Sequence, residues 1–125
     1  MVETKTKLLY GELSYKLTRV LFDTHNELGR FAKEKQYASI IERKLKESKI
    51  PYKRELAIGD SGNIVDFLID DKIILELKAK PYLVDSDYSQ IKRYLHFCNL
   101  ELGIVVNFRE KIIKPKRVLN LWKNL

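Results

Sequence analysis

The sequence reads Asn-Ile-Val-Asp-Phe-Leu-Ile over residues 63–69 and Ile-Ile-Leu-Glu-Leu-Lys over residues 73–78, two apolar segments that contain three charged side chains. Short runs of β-branched and large apolar residues between turn-forming residues are typical of β-strands. Side chains two residues apart point to the same side of a strand, so Glu76 and Lys78 are predicted to share one face while the leucines beside them occupy the other. A carboxylate and an ammonium are thus presented together within a largely apolar sheet.

The connection between the two segments decides whether Asp66 joins this pair. A two-residue turn at Asp70 and Asp71 would place Asp66 on the face opposite Glu76. A three-residue connection that includes Lys72 would set Asp66 directly across from Glu76, because opposed residues of an antiparallel pair share a face. We predict the three-residue connection or an equivalent bulge, with Asp66, Glu76 and Lys78 on one side of the sheet. Such a loop usually needs one residue in the left-handed region, which Asp tolerates better than most non-glycine residues.

The segments on either side predict the order ααβββαββ. Two amphipathic helices precede the strands, and the first three strands form an antiparallel meander. The predicted helices cover residues 13–28, 31–48 and 87–99, and the other strands cover residues 52–58, 102–108 and about 112–118. The intervening Gly59-Asp60-Ser61-Gly62 stretch is predicted to be a turn rather than a nucleophile segment.

Composition and charge narrow the class of protein. A chain of 125 residues, 45% hydrophobic and 33% charged, is expected to form one ordered globular domain over residues 1–125. Its net charge of +7 favours polyanionic partners, although charge alone is unspecific. Because residues 1–7 lack the apolar stretch of a signal peptide and the lone Cys98 cannot form an internal disulfide, we expect a cytoplasmic protein in which Cys98 packs in the core.

Two carboxylates beside a lysine suit the cleavage of a phosphodiester. The transition state gathers negative charge that a carboxylate-held Mg²⁺ or Mn²⁺ can neutralise. Lysine can orient or deprotonate the attacking water, or stabilise the developing charge. The alternative interpretation is that Glu76 and Lys78 form a solvated pair on an exposed strand face.

The spacing of Asp66, Glu76, Leu77 and Lys78 resembles the core motif of the PD-(D/E)xK nuclease superfamily. Residues 90–94 resemble the Q-x-x-x-Y motif of its RecB-like members. Within that superfamily, residues 25–29 and 34–37 resemble the signature of the GxxExxY family, and residues 103–108 resemble its penultimate strand. The chain departs from that family at Phe31, where a second glycine is common.

The resemblance implies an α/β (α+β) fold with a restriction-endonuclease-like core, in which a mixed central sheet is flanked by helices. It implies that Asp66 and Glu76 are metal ligands, with the main-chain carbonyl of Leu77 as a third. Lys78 would be the catalytic lysine. Glu34 would supply an outer or second-metal carboxylate, and Gln90 would position the nucleotide or a metal-bound water.

The resemblance also implies a nuclease that acts on DNA more readily than on RNA. The alternative is a catalytically silent module of the same fold that binds nucleic acid or a protein partner. Lys92 and Arg93 can contact phosphates or form a solvated face, and Tyr94 can contact nucleic acid or belong to the core. His25 and His96 lack partners at metal-ligand spacing and are interpreted as structural. The oligomeric state stays open, a homodimer included.

Overall fold

The structure is a computed structural model that describes residues 9–120. Within this range the helices and strands follow the predicted order ααβββαββ. They are α1 (Gly11–Leu28), α2 (Glu34–Glu47), β1 (Tyr52–Ile58), β2 (Asn63–Ile69), β3 (Ile73–Lys78), α3 (Asp85–Cys98), β4 (Leu102–Asn107) and β5 (Lys116–Leu119).

The strands form one mixed sheet in the order β1-β2-β3-β4-β5. β1, β2 and β3 pair antiparallel, which confirms the predicted meander. β3 and β4 pair parallel, because helix α3 returns the chain to the edge of the sheet at which β3 begins. β5 pairs antiparallel with β4. The α+β architecture with a mixed central sheet is therefore confirmed.

Each face of the sheet is covered by helices. On one face, α1 and α2 pack over a core that includes Leu17, Tyr37 and Leu75. On the other face, α3 packs over a second core that includes Ile74 and Leu95, and Cys98 lies partly buried at its margin.

The turn between β2 and β3 has the predicted length. Ile69 opposes Ile73, and the Lys72 N–H donates to the Ile69 carbonyl at 2.9 Å. The expectation of one left-handed residue was wrong, because both Asp70 (φ 50°) and Asp71 (φ 54°) adopt that conformation. The hydrogen bond from the Lys72 N–H to the Ile69 carbonyl closes a β-turn with Asp70 and Asp71 at its centre, and positive φ at both is the type I′ geometry that matches the twist of the strands.

Two elements begin three or more residues later than predicted, and the other boundaries differ by at most two residues. Helix α2 begins at Glu34 rather than residue 31, because the Tyr37 hydroxyl accepts the Ala32 N–H and donates to the Gly29 carbonyl, which holds residues 29–32 outside the helix. Strand β5 begins at residue 116 rather than near residue 112, because Pro115 has no N–H to donate to a neighbouring strand.

Candidate active site

The candidate site lies where β2 and β3 separate. Their regular pairing ends at Phe67 and Leu75, and two carboxylates then replace the backbone ladder. The Asp66 N–H donates to Glu76 Oε1 at 3.2 Å, and the Leu77 N–H donates to Asp66 Oδ2 at 2.7 Å. Asp66 therefore lies across from Glu76, as the predicted register requires.

A change of face along β2 places Asp66 at this opening. Val65 and Phe67 are two residues apart, yet they pack in opposite cores, whereas regular alternation would put them on the same face. The change coincides with a left-handed residue, Glu55 (φ 56°), on the neighbouring strand β1. Asp66 consequently reaches the boundary between the two layers, a position that strict strand parity does not predict.

Glu76 is a buried acid with an unusual proton affinity. The residue is 5% exposed. Burial and then the neighbouring Asp66 carboxyl raise the pKa of Glu76 from its usual 4.5 to about 9. Lys78 opposes this rise without cancelling it. In the metal-free protein Glu76 is therefore protonated at neutral pH, and a cation bound beside it would favour release of that proton.

Lys78 projects from the same face of β3 toward helix α3. Its Nζ donates to Gln90 Oε1 at 3.0 Å and lies 3.8 Å from Asp87 Oδ1. Lys78 on β3 and Gln90 on α3, which the sequence analysis identified as separate candidates, are thus in direct contact. Gln90 fixes the ammonium on the side of the sheet that also carries Glu76.

Asp87 is a residue of this network that sequence reasoning missed. It is 7% exposed and its carboxylate accepts Lys80 Nζ at 2.8 Å and the Val84 N–H at 2.8 Å. Burial opposes ionisation, but Lys80 and the Val84 N–H outweigh it and lower the pKa of Asp87. The signal was available, since an acid in the first turn of a helix commonly accepts the N–H that precedes it.

Asn107 holds the segment that follows β3 and was also missed. It is 1% exposed and opposes Lys78 across the parallel β3–β4 pair. Its Oδ1 accepts the Lys80 N–H at 3.1 Å and the Arg109 N–H at 3.2 Å, while its Nδ2 donates to the Lys80 carbonyl at 2.8 Å. With its three hydrogen bonds satisfied, the buried Asn107 amide fixes the backbone that follows β3.

Glu34 approaches the site from α2. Together with Ala38, Asp66 and Leu77 it lines a cleft of about 210 Å³. Burial within the cleft and then the Asp66 carboxylate raise the pKa of Glu34, although the residue as a whole remains exposed. Glu34 therefore faces the cleft from its solvent side, at the edge of the candidate site.

The remaining sequence candidates are divided between core and surface. Tyr94 is 6% exposed and packs in the second core, where burial and then Glu76 raise the pKa of its hydroxyl. Lys92 and Arg93 are exposed on the outer side of α3. Tyr94 therefore lies behind Gln90 rather than on an exposed binding surface.

The two histidines lie outside this group of side chains. His25 Nε2 is 2.9 Å from the Glu110 carbonyl, so it connects α1 to the segment after β4. His96 is exposed on α3. Both positions agree with structural roles.

The donor set can be compared with the needs of a divalent cation. Within residues 9–120, no three His, Cys, Asp or Glu side chains are close enough together to hold a metal ion. Mg²⁺ commonly uses only one or two carboxylates and retains several waters. The paired oxygens of Asp66 and Glu76 fit such an ion, and a cation bound there would favour the ionised form of Glu76.

Comparison with known proteins agrees with this geometry. A family model described as the PD-(D/E)XK nuclease superfamily matches residues 11–118, which is most of the chain. The protein belongs to that superfamily, and the predicted resemblance is confirmed at this level. No curated protein and no solved structure matches the chain significantly. Between residues 9 and 120, no helix combines the length and the apolar character needed to cross a membrane.

Proposed function

We propose that the protein is a metal-dependent nuclease that hydrolyses phosphodiester bonds of nucleic acid, with DNA as the preferred substrate. One observation carries the proposal: Asp66 and Glu76 meet where β2 and β3 separate, and the charge of Lys78 acts on Glu76 there, in a member of a nuclease superfamily. We further propose membership of the GxxExxY family and a cytoplasmic location. The net charge of +7 supports a polyanionic substrate.

Each side chain has a defined part in the proposal. Asp66, Glu76 and the Leu77 carbonyl hold Mg²⁺ or Mn²⁺, and Glu34 supplies an outer carboxylate from across the cleft. When bound, the ion neutralises charge on the scissile phosphate. Gln90 holds the Lys78 ammonium so that it can donate a hydrogen bond to the attacking water or to a phosphate oxygen.

A catalytically silent binding module is the second candidate. Such a module would need basic surface residues, but it would not need a buried acid held against a second acid and a lysine. Burying the Glu76 carboxyl next to Asp66 disfavours its ionised form, as the raised pKa of Glu76 shows. The presence of this costly arrangement favours catalysis.

Cleavage assays distinguish the two candidates. We expect labelled DNA to be cut with Mg²⁺ or Mn²⁺ and left intact in EDTA, when duplex, single-stranded, flap and junction substrates are compared. RNA of the same sequences tests the preference for DNA. Lys78→Ala should remove cleavage, whereas Lys72→Ala, which changes an exposed lysine at the opposite end of β3, should retain it. No metal-dependent cleavage of any substrate would favour the binding module.

A further inference from the structure

An exposed aromatic ring lies within cation–π distance of two arginines beside the candidate site. Phe31, in the α1–α2 connection, is 74% exposed. The guanidinium carbon of Arg30 lies 4.9 Å from the centre of its ring, and that of Arg109 lies 5.6 Å from it. We call these three residues the Phe31 platform. Most of the ring remains open to solvent, so packing in the core does not explain it.

Hydrogen bonds join the two segments that form the Phe31 platform. Arg30 Nε donates to the Arg109 carbonyl at 2.8 Å, and Arg109 Nε donates to the Arg30 carbonyl at 3.2 Å. The buried Tyr37 accepts the Ala32 N–H, and its ring stacks on Phe108 with centroids 4.2 Å apart. Phe31 is thus presented on a braced backbone, which lowers the entropic cost of binding a ligand.

The Phe31 platform adjoins the end of β3 that carries the lysine. Arg109 Nη2 donates to the carbonyl of Ala79, the residue directly after Lys78, at 3.3 Å. Helix α2 begins three residues after Phe31 with Glu34, which lines the cleft with Asp66. A nucleic-acid strand in the cleft would therefore extend toward the platform.

The charges of the Phe31 platform are not neutralised by acids. Within residues 9–120, neither Arg30 nor Arg109 forms a salt bridge, and their observed side-chain hydrogen bonds go to main-chain carbonyls. Neither terminal nitrogen of Arg30 makes such a bond, and only one of the two terminal nitrogens of Arg109 does. Guanidinium groups with free N–H donors are well suited to phosphate oxygens.

We propose that the Phe31 platform binds an unpaired nucleotide of the substrate: its base stacks on Phe31, and Arg30 and Arg109 contact the adjoining phosphates. The inference rests on the proposed function and specifies its substrate as nucleic acid with a single-stranded segment beside the cleaved bond. Every base offers an aromatic face, so the contact is independent of sequence. In a duplex those faces are covered by neighbouring bases, so Phe31 discriminates in favour of unpaired strands.

Binding measurements with matched oligonucleotides test this inference. Fluorescence anisotropy in EDTA compares a labelled oligothymidylate with a labelled duplex of equal length. We expect Phe31→Ala to weaken binding of the single strand about tenfold and to change duplex binding less than about twofold. Phe31→Trp should restore single-strand binding. Tyr15→Ala, which removes another exposed aromatic ring, is the control and should leave both affinities unchanged.

Salt titration separates stacking from phosphate contact. Phe31→Ala should leave the dependence of affinity on salt concentration unchanged, because stacking releases no counterions. Arg109→Gln should reduce the slope of log affinity against log salt concentration by about one, the loss expected for one phosphate contact. Melting temperatures of all variants establish that each is folded.

The outcomes separate this inference from the proposed function. Wild-type affinity for the single strand in folded Phe31→Ala would overturn the stacking role while leaving nuclease activity standing. Equal losses on single strand and duplex would overturn the selectivity for unpaired bases. If the wild-type protein binds neither oligonucleotide and cuts no nucleic acid, the proposed function and this inference both fall, and a protein partner becomes the better interpretation of the Phe31 platform.

Discussion

At the scale of single residues, Glu76 illustrates how burial and charge act together. Its position on β3 leaves it 5% exposed, and the Asp66 carboxyl lies beside it. In the unfolded chain the same side chain is fully hydrated and far from Asp66. The folded state therefore favours the protonated acid far more than the unfolded state does.

This difference predicts how the stability of the metal-free protein depends on pH. The pKa of Glu76 is about 9 when folded and 4.5 in its usual surroundings, so between these values the unfolded chain binds fewer protons than the native protein. The contribution of Glu76 to the unfolding free energy must then decrease as pH rises through this window. We expect Glu76→Gln in EDTA to flatten the decline and to be the more stable protein near pH 8.

Denaturant titrations at several pH values measure this effect. Glu47→Gln is a matched control, because Glu47 has a side chain that is 67% exposed and lies far less deeply in the fold. Its pH profile should follow the wild type. Parallel profiles for wild type and Glu76→Gln would show that Glu76 ionises normally despite its burial.

At the scale of elements, the turn between β2 and β3 determines which residues face one another. Its three residues give the Ile69–Ile73 register, and that register carries Asp66 across from Glu76. Both Asp70 and Asp71 adopt positive φ, a conformation that is costly for residues with a Cβ atom. The turn therefore keeps an unfavourable backbone conformation at two residues, and the register that it sets places Asp66 opposite Glu76.

Substitutions at Asp71 test the energetic role of this turn. Glycine enters the left-handed region freely, whereas a β-branched residue does not, so Asp71→Val should be less stable than Asp71→Gly by about 1–2 kcal/mol. The exposed Lys53–Asp71 pair at 3.6 Å is lost in both variants and cancels from the comparison. Chemical denaturation gives the difference directly. Equal stabilities would mean that the turn relaxes to another conformation.

At the scale of the whole molecule, the site forms at a junction of layers. Helix α2 brings Glu34 from one face of the sheet, and helix α3 brings Gln90 from the other. The two strands that separate between them supply Asp66 and Glu76. Side chains from both layers thus meet at one opening.

The overall charge leads to a prediction about nucleic-acid binding. With a net charge of +7, affinity should fall steeply as salt concentration rises, because each phosphate contact releases counterions. Binding should persist in Lys78→Ala, since surface lysines and arginines position the backbone independently of the chemistry. Filter binding across a salt series measures the slope. Tight binding that is insensitive to salt would contradict this expectation.

Local sequence patterns determined much of the architecture. Helical and strand periodicities predicted the element order, and the length of the β2–β3 connection predicted the register that sets Asp66 across from Glu76. These features depend on residues close together in the chain, so backbone geometry and alternation of side chains are sufficient to anticipate them.

Only the tertiary structure decided how the site is completed. The change of face between Val65 and Phe67 occurs beside the left-handed Glu55 of the paired strand β1, and the buried contacts of Asp87 and Asn107 depend on where α3 and β4 pack. The contact between Arg109 and the α1–α2 connection spans most of the chain. Such contacts depend on packing between segments far apart in sequence, which local propensity does not encode.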